Sequence, residues 1–276
     1  MLPVPEPTPE LYDSVYKRKA TDNLVNRLDR AAIKDEQIAS LDCTGFLSRG
    51  DLRRYKQILA TNIRRDNGSK LKLLDLGCGV GQLGCWLAGK LGAALIGVDF
   101  SPVAIERARS LARKQKHTSR PRFRVSDFSA TGLATSSVSA IISLDALYLA
   151  TNRLAVLREL HRVLVSEGIL LFTVYIRNSE SKRTARKRAL EWLTALEISG
   201  FEVVRCRDVS ERWRGQMRKK HQQRWRERHR INAELGKLGE AELAVSAQML
   251  GVAGKRSFLD SVSRFEILAR SKAAAV

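Results

Sequence analysis

Between residues 71 and 176 the spacing of hydrophobic positions alternates between two periods. Residues 71–76 (LKLLDL) form a short apolar run that stops at glycines, the pattern of a buried strand. Residues 93–99 (AALIGVD) repeat it, 122–127 (RFRVSD) alternate as a third strand, and 140–144 and 169–176 supply a fourth and fifth. Helical spacing fills the gaps at 82–91, at 102–114 and at 154–165. Ser101 and Asn152 are the predicted caps, Pro102 takes a first helical position, and Gly168 is the predicted stop. Strand and helix in this rhythm predict an α/β fold, a parallel sheet with crossover helices. Beyond it the pattern predicts a helix at 188–199, a strand at 201–209, helices at 211–235 and 238–250, and a last strand at 264–271. About fifty residues thus separate the last two strands, where a tight connection would suffice. The expected organisation is a Pro-rich flexible arm (1–10), an N-terminal helical lid (11–60), and a core (61–276) with a helical lid insertion at 211–250.

Composition narrows the class. The 276 residues are 44% hydrophobic, enough for one large core. No apolar run is long enough to span a bilayer, and the first residues lack the basic start and apolar stretch of a signal peptide. The four cysteines make no C-x-x-C pair, so a zinc ribbon or disulfide scaffold is not expected, no metal site is predicted, and a reducing cytoplasm fits. Net charge is the outlying number at +20. Twelve of those excess charges fall in 177–191 and 205–230; such a surface attracts anions, whether nucleic acid, a phosphorylated or carboxylated metabolite or acidic lipid, but a general arginine bias accounts for the composition without a partner, and no membrane partner is expected.

The strongest candidate site is Asp75-Leu-Gly77-Cys78-Gly79-Val-Gly81, where the first strand meets a helix. Residues 79–84 also match G-x-G-x-x-G, so a dinucleotide must be weighed. Three acids decide against it. Asp75 puts an anion beside the loop, which suits an ammonium group better than a pyrophosphate. Asp99 ends the second strand, 18 residues after Gly81, and suits ribose hydroxyls. Asp127 ends the third strand beside Phe128, a carboxylate and an aromatic face that suit adenine. Together they fit a cationic amino-acid nucleoside.

Five segments carry a family resemblance: LLDLGCGVGQLGCWLA, IGVDFSPVAIERAR, FRVSDFSATGL, AIISLDALYLA and RELHRVLVSEGILLFTVY. They resemble the class I S-adenosylmethionine-dependent methyltransferases, closely over 46–176 and more loosely over 200–271. The resemblance implies a Rossmann-like seven-stranded sheet of order 3-2-1-4-5-7-6 with strand 7 antiparallel, and S-adenosyl-L-methionine as cofactor with S-adenosyl-L-homocysteine as product. It implies that Asp75 and the loop residues Gly77, Cys78, Gly79 and Gly81 hold the amino-acid end. Asp99 would take the ribose, Phe100 would lie against adenine, and Asp127 and Phe128 would meet the adenine edge and face. Leu144 would lie near the sulfonium, and Phe46 and Ser48 would close over the methionine part. GFLSRGDLRRYKQIL and FEVVRCRDVSERW look like bacterial enzymes that methylate small metabolites, often tailoring natural products.

Methyl transfer from a sulfonium needs alignment, and a base only if the acceptor must lose a proton. Some relatives carry a His about five residues after the fourth strand; here Leu149 stands there, in Asp145-Ala-Leu-Tyr148-Leu149. Tyr148 and His221 are therefore the candidate catalytic residues, and Tyr16, Asp145, Tyr148, Tyr175, Trp213 and Met217 the candidate acceptor contacts. Trp213, Met217, His221 and Trp225 recur every four residues, one helical face expected to cover the methyl-donor side. The competing reading is a nucleic-acid methyltransferase that uses 205–230 on phosphates. Against it, SLDALY stands where base-amino methylases carry N-P-P-Y. A third reading is a partner protein that merely keeps the fold; the intact set of acids and glycines speaks against it.

Overall fold

The computed structural model describes residues 8, 10, 12–13, 16–17, 23–33, 49–64, 70–114, 120–177, 182–254 and 256–273. In chain order the elements are α1 (Leu24–Ile33), α2 (Arg49–Asn62), β1 (Lys72–Leu76), α3 (Gln82–Leu91), β2 (Ala94–Asp99), α4 (Pro102–Lys114), β3 (Arg122–Val125), β4 (Val138–Ser143) and α5 (Arg153–Val163). Then come β5 (Leu164–Arg177), α6 (Lys182–Ile198), β6 (Phe201–Asp208), α7 (Ser210–Arg226), α8 (Arg228–Leu235), α9 (Lys237–Leu250) and β7 (Val262–Ser271). The strands make one sheet of order β3-β2-β1-β4-β5-β7-β6, with β7 antiparallel to both neighbours, as expected. Strand order reverses between β1 and β4, and a ligand cleft is expected beyond the carboxyl ends of strands at such a point.

Alternation along the strands divides the core in two. Phe172, Val174, Phe265 and Ile267 face Leu157 and Leu160 of α5 and Trp192 and Leu196 of α6. On the other face, Leu73, Leu95, Ile142, Leu171 and Leu268 meet α3, α4 and α2. This corrects the expectation for 11–60. Helix α2 buries Leu52, Tyr55, Ile58 and Leu59 against the sheet, so it is a core layer and not part of a lid.

Local signals were right at helix starts and weaker at stops. Ser101 Oγ accepts from Ala104 N at 3.0 Å, and Asn152 Oδ1 accepts from Ala155 N at 3.0 Å. Replacing Asn152 by Ala should lower stability by about 1 kcal/mol in denaturant unfolding; an unchanged midpoint would show that the cap contributes nothing. Gly168 does not close the helical unit: α5 ends at Val163 and the chain enters β5 directly, pairing Leu164 with Val138. The helix predicted over 211–235 is broken at Glu227 into α7 and α8.

Helices α1, α7, α8 and α9 form a separate layer with its own small core, Leu24, Val25, Ile231 and Leu243, with Trp225 against it. Buried charge ties it together. Asp29 of α1 takes Lys220 Nζ at 2.9 Å and Arg224 Nη2 at 2.6 Å, and Arg224 Nη1 reaches Glu242 of α9 at 2.9 Å. The two cations hold the Asp29 carboxyl below its usual range despite burial. No helix among the described residues is long and apolar enough to cross a membrane.

Candidate functional site

The turn after β1 is held from β2. Gly77 N and Cys78 N both donate to Val98 O, at 2.7 and 3.0 Å. Gly77 has φ +74°, and a Cβ there would lie 2.2 Å from Ala146 Cβ, so the turn and the loop after β4 approach closely enough to require glycine. Gly84, at the third position of the G-x-G-x-x-G match, has a different role. Its added Cβ would lie 2.5 Å from Asp75 Oδ2, and its N–H donates to that carboxylate. The glycine thus packs the helix against an acid, where a dinucleotide site would pack it against a bare strand.

Asp75 and Asp99 end adjacent parallel strands and are both buried. Asp99 Oδ2 accepts from Gly79 N at 2.8 Å and Oδ1 from Ser101 N at 2.9 Å, with Phe100 as a further backbone donor, which still leaves the carboxylate some acceptor capacity. Among the described residues no cationic side chain pairs with either acid. Burial, then the charge of Asp99, pushes the Asp75 carboxyl up to about 7. Burial also raises Asp99, against the pull of its backbone donors. Two buried like charges without a counter-charge are costly unless a cation arrives. Cys78 lies beside them, and burial followed by the Asp75 charge lifts its thiol well above the ordinary range, so it is no nucleophile.

Next to the acids is a cleft of about 110 Å³ lined by Phe100, Asp127, Phe128, Ser129, Leu149 and Asn152. Phe128 is buried, and its ring meets that of Phe100 edge-on at 6.4 Å. Asp127 Oδ1 accepts from Ser129 N at 2.7 Å and Ser129 Oγ at 2.5 Å. The expected cofactor residues at three strand ends are therefore brought together. Leu144 is half-buried just past β4. Phe46 and Ser48 lie outside the described residues.

The expected acceptor contacts divide. Tyr148 and Tyr175 meet edge-on at 5.1 Å, and Tyr175 meets Trp213 at 5.0 Å, so these three form one aromatic wall from the loop after β4 to α7. Asp145 lies at its foot in the left-handed region, φ +59°, which Asp tolerates better than most residues. Its Oδ1 takes Arg264 Nη2 at 2.7 Å, Arg264 Nε at 2.9 Å and Thr173 Oγ1 at 2.8 Å. Tyr175 donates to the same carboxylate. Asp145 is thus an anchor in a closed network, not an open contact at a pocket mouth. Met217 packs behind Trp213 with Leu259 and Val262. Tyr16 is placed elsewhere: its hydroxyl lies over the glycine loop, 2.7 Å from where a Cβ on Gly79 would be. That is the glycine-loop side, away from the Tyr148–Tyr175–Trp213 wall.

His221 is corrected outright. Its Nδ1 meets Ser246 Oγ of α9 at 3.0 Å, and it is buried inside the helical layer. Burial, then Lys220 and Arg224, lowers it to about 3, so it is neutral and too weak a base. The four-residue stripe is therefore split by function. Trp213 meets Tyr175, while His221 and Trp225 pack helix on helix. Tyr148 is not a base either: burial raises its hydroxyl, which stays protonated.

The basic segment is largely committed internally. Arg214 donates to Leu259 O and Val262 O, Arg212 pairs with Asp51, Arg218 with Asp260, and Lys220 and Arg224 with Asp29. Much of its charge therefore secures α7, which disfavours the phosphate-contact reading.

Sequence reasoning missed Tyr12 and Arg264. Tyr12 precedes Tyr16 by four residues, a spacing that places both on one helical face. Arg264 and Glu266 alternate along β7, and both are buried.

Residues 74–172 match the family described as a methyltransferase domain. The methyltransferase GfsG of Streptomyces halstedii is 30% identical over 166 residues, 55% of this chain and 60% of that protein. Among solved structures, the [4+2]-cyclase SpnF is similar with TM-score 0.68 and 20% identity, covering 95% of this chain and 96% of that one. The cyclopropane synthase MmaA2 from Mycobacterium tuberculosis is similar with TM-score 0.70 and 12% identity, covering 97% and 100%. These two likenesses concern the fold. The chain spans about half the length of the curated relatives it matches.

Proposed function

We propose that this protein binds S-adenosyl-L-methionine along Asp75, Asp99 and the Phe100–Phe128 cleft, and directs its methyl group to a small-molecule acceptor at the Tyr148–Tyr175–Trp213 wall. The observation that carries the reading is the pair of buried carboxylates, Asp75 and Asp99, without a cation among the described residues. An α-ammonium group supplies the missing charge, and ribose hydroxyls suit the remaining acceptor capacity of Asp99. When bound, the cofactor would supply a methyl carbon on a positive sulfur, an electrophile for an acceptor lone pair with a neutral thioether as leaving group.

This chain's contribution is alignment and exclusion of water. Asp75 holds the amino-acid end, with Tyr16 above the loop. Phe100 and Phe128 clasp the base, and Asp127 faces its edge. The network on Asp145 fixes the loop that carries Leu144 and Tyr148. Trp213 closes the wall from α7, so 211–250 acts as a lid at its Trp213 end only. The acceptor is a secondary metabolite in a cytoplasmic setting, and an anionic one suits the basic surface. The relative named methyltransferase GfsG supports methyl transfer. The [4+2]-cyclase is a reminder that one fold serves other reactions, so transfer itself must be measured.

Calorimetry with S-adenosylhomocysteine tests the reading. One equivalent should bind, and its affinity should fall about tenfold from pH 8 to pH 6. The sign follows from Asp75: its carboxyl takes a proton near pH 7, and only the charged form holds an ammonium group. A flat profile, or tight binding of a nicotinamide dinucleotide, would overturn it.

A further inference from the structure

Helix α5 holds both walls of the nucleoside cleft. Its amino-terminal end supplies one wall directly, through the cap residue Asn152 and through Val156 one turn on. The facing wall is the turn after β3, with Asp127, Phe128 and Ser129. That turn is closed on itself: Ala130 N donates to Asp127 O at 3.2 Å, and Ser126 Oγ donates to Ala130 O. Residues 126–137 form neither helix nor strand, so contacts from outside must set where the turn lies.

The buried one of those contacts comes from the next turn of α5. Glu159 Oε1 accepts from Thr131 N at 2.9 Å and from Thr131 Oγ1 at 2.6 Å. Arg162 holds this acid, Nε to Oε2 at 2.7 Å and Nη2 to Oε1 at 2.9 Å, and reaches on to Leu133 O at 2.8 Å and Thr135 Oγ1 at 3.1 Å. Arg124 of β3, itself exposed, adds a bond from Nη1 to Thr131 O at 3.1 Å. Thr131 is fully buried, so without Glu159 its N–H and hydroxyl have no water to turn to. Burial opposes the charge on Glu159, but hydrogen bonds from Arg162 and Thr131 outweigh it and hold the carboxyl below its ordinary range.

We propose that Glu159 is a positioning residue for base selection: by fixing Thr131 it sets the gap between Asp127 and the Asn152–Val156 wall, and the cleft then selects a base that carries an exocyclic amino group. The inference rests on the methyl-donor reading above. Asp127 Oδ1 is taken by Ser129, whereas Oδ2 has no hydrogen-bond partner among the described residues and can accept from an amino group. A carboxylate repels a carbonyl oxygen at the same place on the base. That discrimination needs Asp127 held at hydrogen-bond distance; a turn free to drift admits either base.

Calorimetry with two probes tests this: S-adenosylhomocysteine, and S-inosylhomocysteine, in which a carbonyl replaces the amino group. The wild-type protein should prefer the first at least tenfold. In Glu159→Ala the preference should fall below threefold, because S-adenosylhomocysteine weakens about tenfold while S-inosylhomocysteine stays within about threefold. Thr131→Val keeps the backbone bond and loses the hydroxyl bond, and should lower the preference at least threefold; it decides the matter if Glu159→Ala does not fold. Leu160→Ala, the next residue on α5 and buried in the core, is the control: it should lower the melting temperature and leave the preference intact. A merely structural Glu159 would weaken both probes alike, and an unchanged preference in the folded variants overturns the proposal. So does an equal loss of preference in Leu160→Ala, or a wild-type protein that binds both probes equally. A wild-type protein that binds neither probe overturns the methyl-donor reading instead, and this one with it.

Discussion

Replacing Asp75 by Asn should make the ligand-free protein more stable at pH 8 and nearly abolish cofactor binding. Asp75 is buried beside Asp99, and its carboxyl is pushed up to about 7 from an ordinary 3.8. The folded chain therefore binds that proton more tightly than the unfolded chain does. The favourable contribution is full below about pH 4 and is lost as pH rises through 7; above that the buried charge is a net burden. Removing the charge should relieve on the order of 2–4 kcal/mol at pH 8, seen as a melting temperature several degrees higher. Asn can still accept from Gly84 N, so the helix packing survives. The same change deprives an ammonium group of its partner, which typically costs about 2–5 kcal/mol, at least thirtyfold in affinity. Scanning calorimetry and ligand titration at pH 8 and pH 5 check both halves. The stability gain should shrink toward pH 5, where wild-type Asp75 is itself neutral. A variant that melts lower than wild type at pH 8, or binds S-adenosylhomocysteine equally well, would falsify the account of this acid.

The contrast with the acceptor side shows what a sequence reveals. Asp75, Asp99 and Asp127 were legible because each ends a strand whose apolar run is visible, and because the glycine loop fixes where the first of them points. Local signals converge there. The acceptor side is assembled from distant pieces. Asp145 and Arg264 are 119 positions apart and meet because β7 returns antiparallel beside β5, with Arg264 opposite Tyr175. No periodicity within 140–150 announces that partner. Trp213, Met217, His221 and Trp225 do share a helical face, but the face is longer than the site it meets, so its first turn touches Tyr175 and its third faces Ser246. Helix α2 looked like part of a lid because it precedes the first strand. Its burial against β5 and α3 is a tertiary fact that helical spacing cannot distinguish from cover over a cleft.

Replacing Arg264 by Met should be among the most destabilising changes in the protein, and replacing Asp145 as well should reverse much of the loss. Arg264 is 2% exposed, and its guanidinium has Asp145 at 2.7 Å. The charge of Asp145 holds Arg264 in its protonated form against burial, and Met of similar length leaves the carboxylate almost buried and unpaired. Breaking such a pair from one side usually costs about 3–5 kcal/mol, whereas replacing both sides is far less harmful. Arg264→Met should therefore lose about that much in denaturant unfolding. Asp145→Asn combined with Arg264→Met should recover at least half, with a coupling of about 2 kcal/mol or more in the double-mutant cycle. Asn is also compatible with the left-handed backbone at position 145, so the turn after β4 can persist with its Thr173 contact. Additive losses would mean that the two residues act separately and that the turn carrying Tyr148 is fixed by other contacts. A strong coupling would instead locate the rigidity of the acceptor wall in one ion pair contributed by β7, a strand outside the matched methyltransferase domain at 74–172.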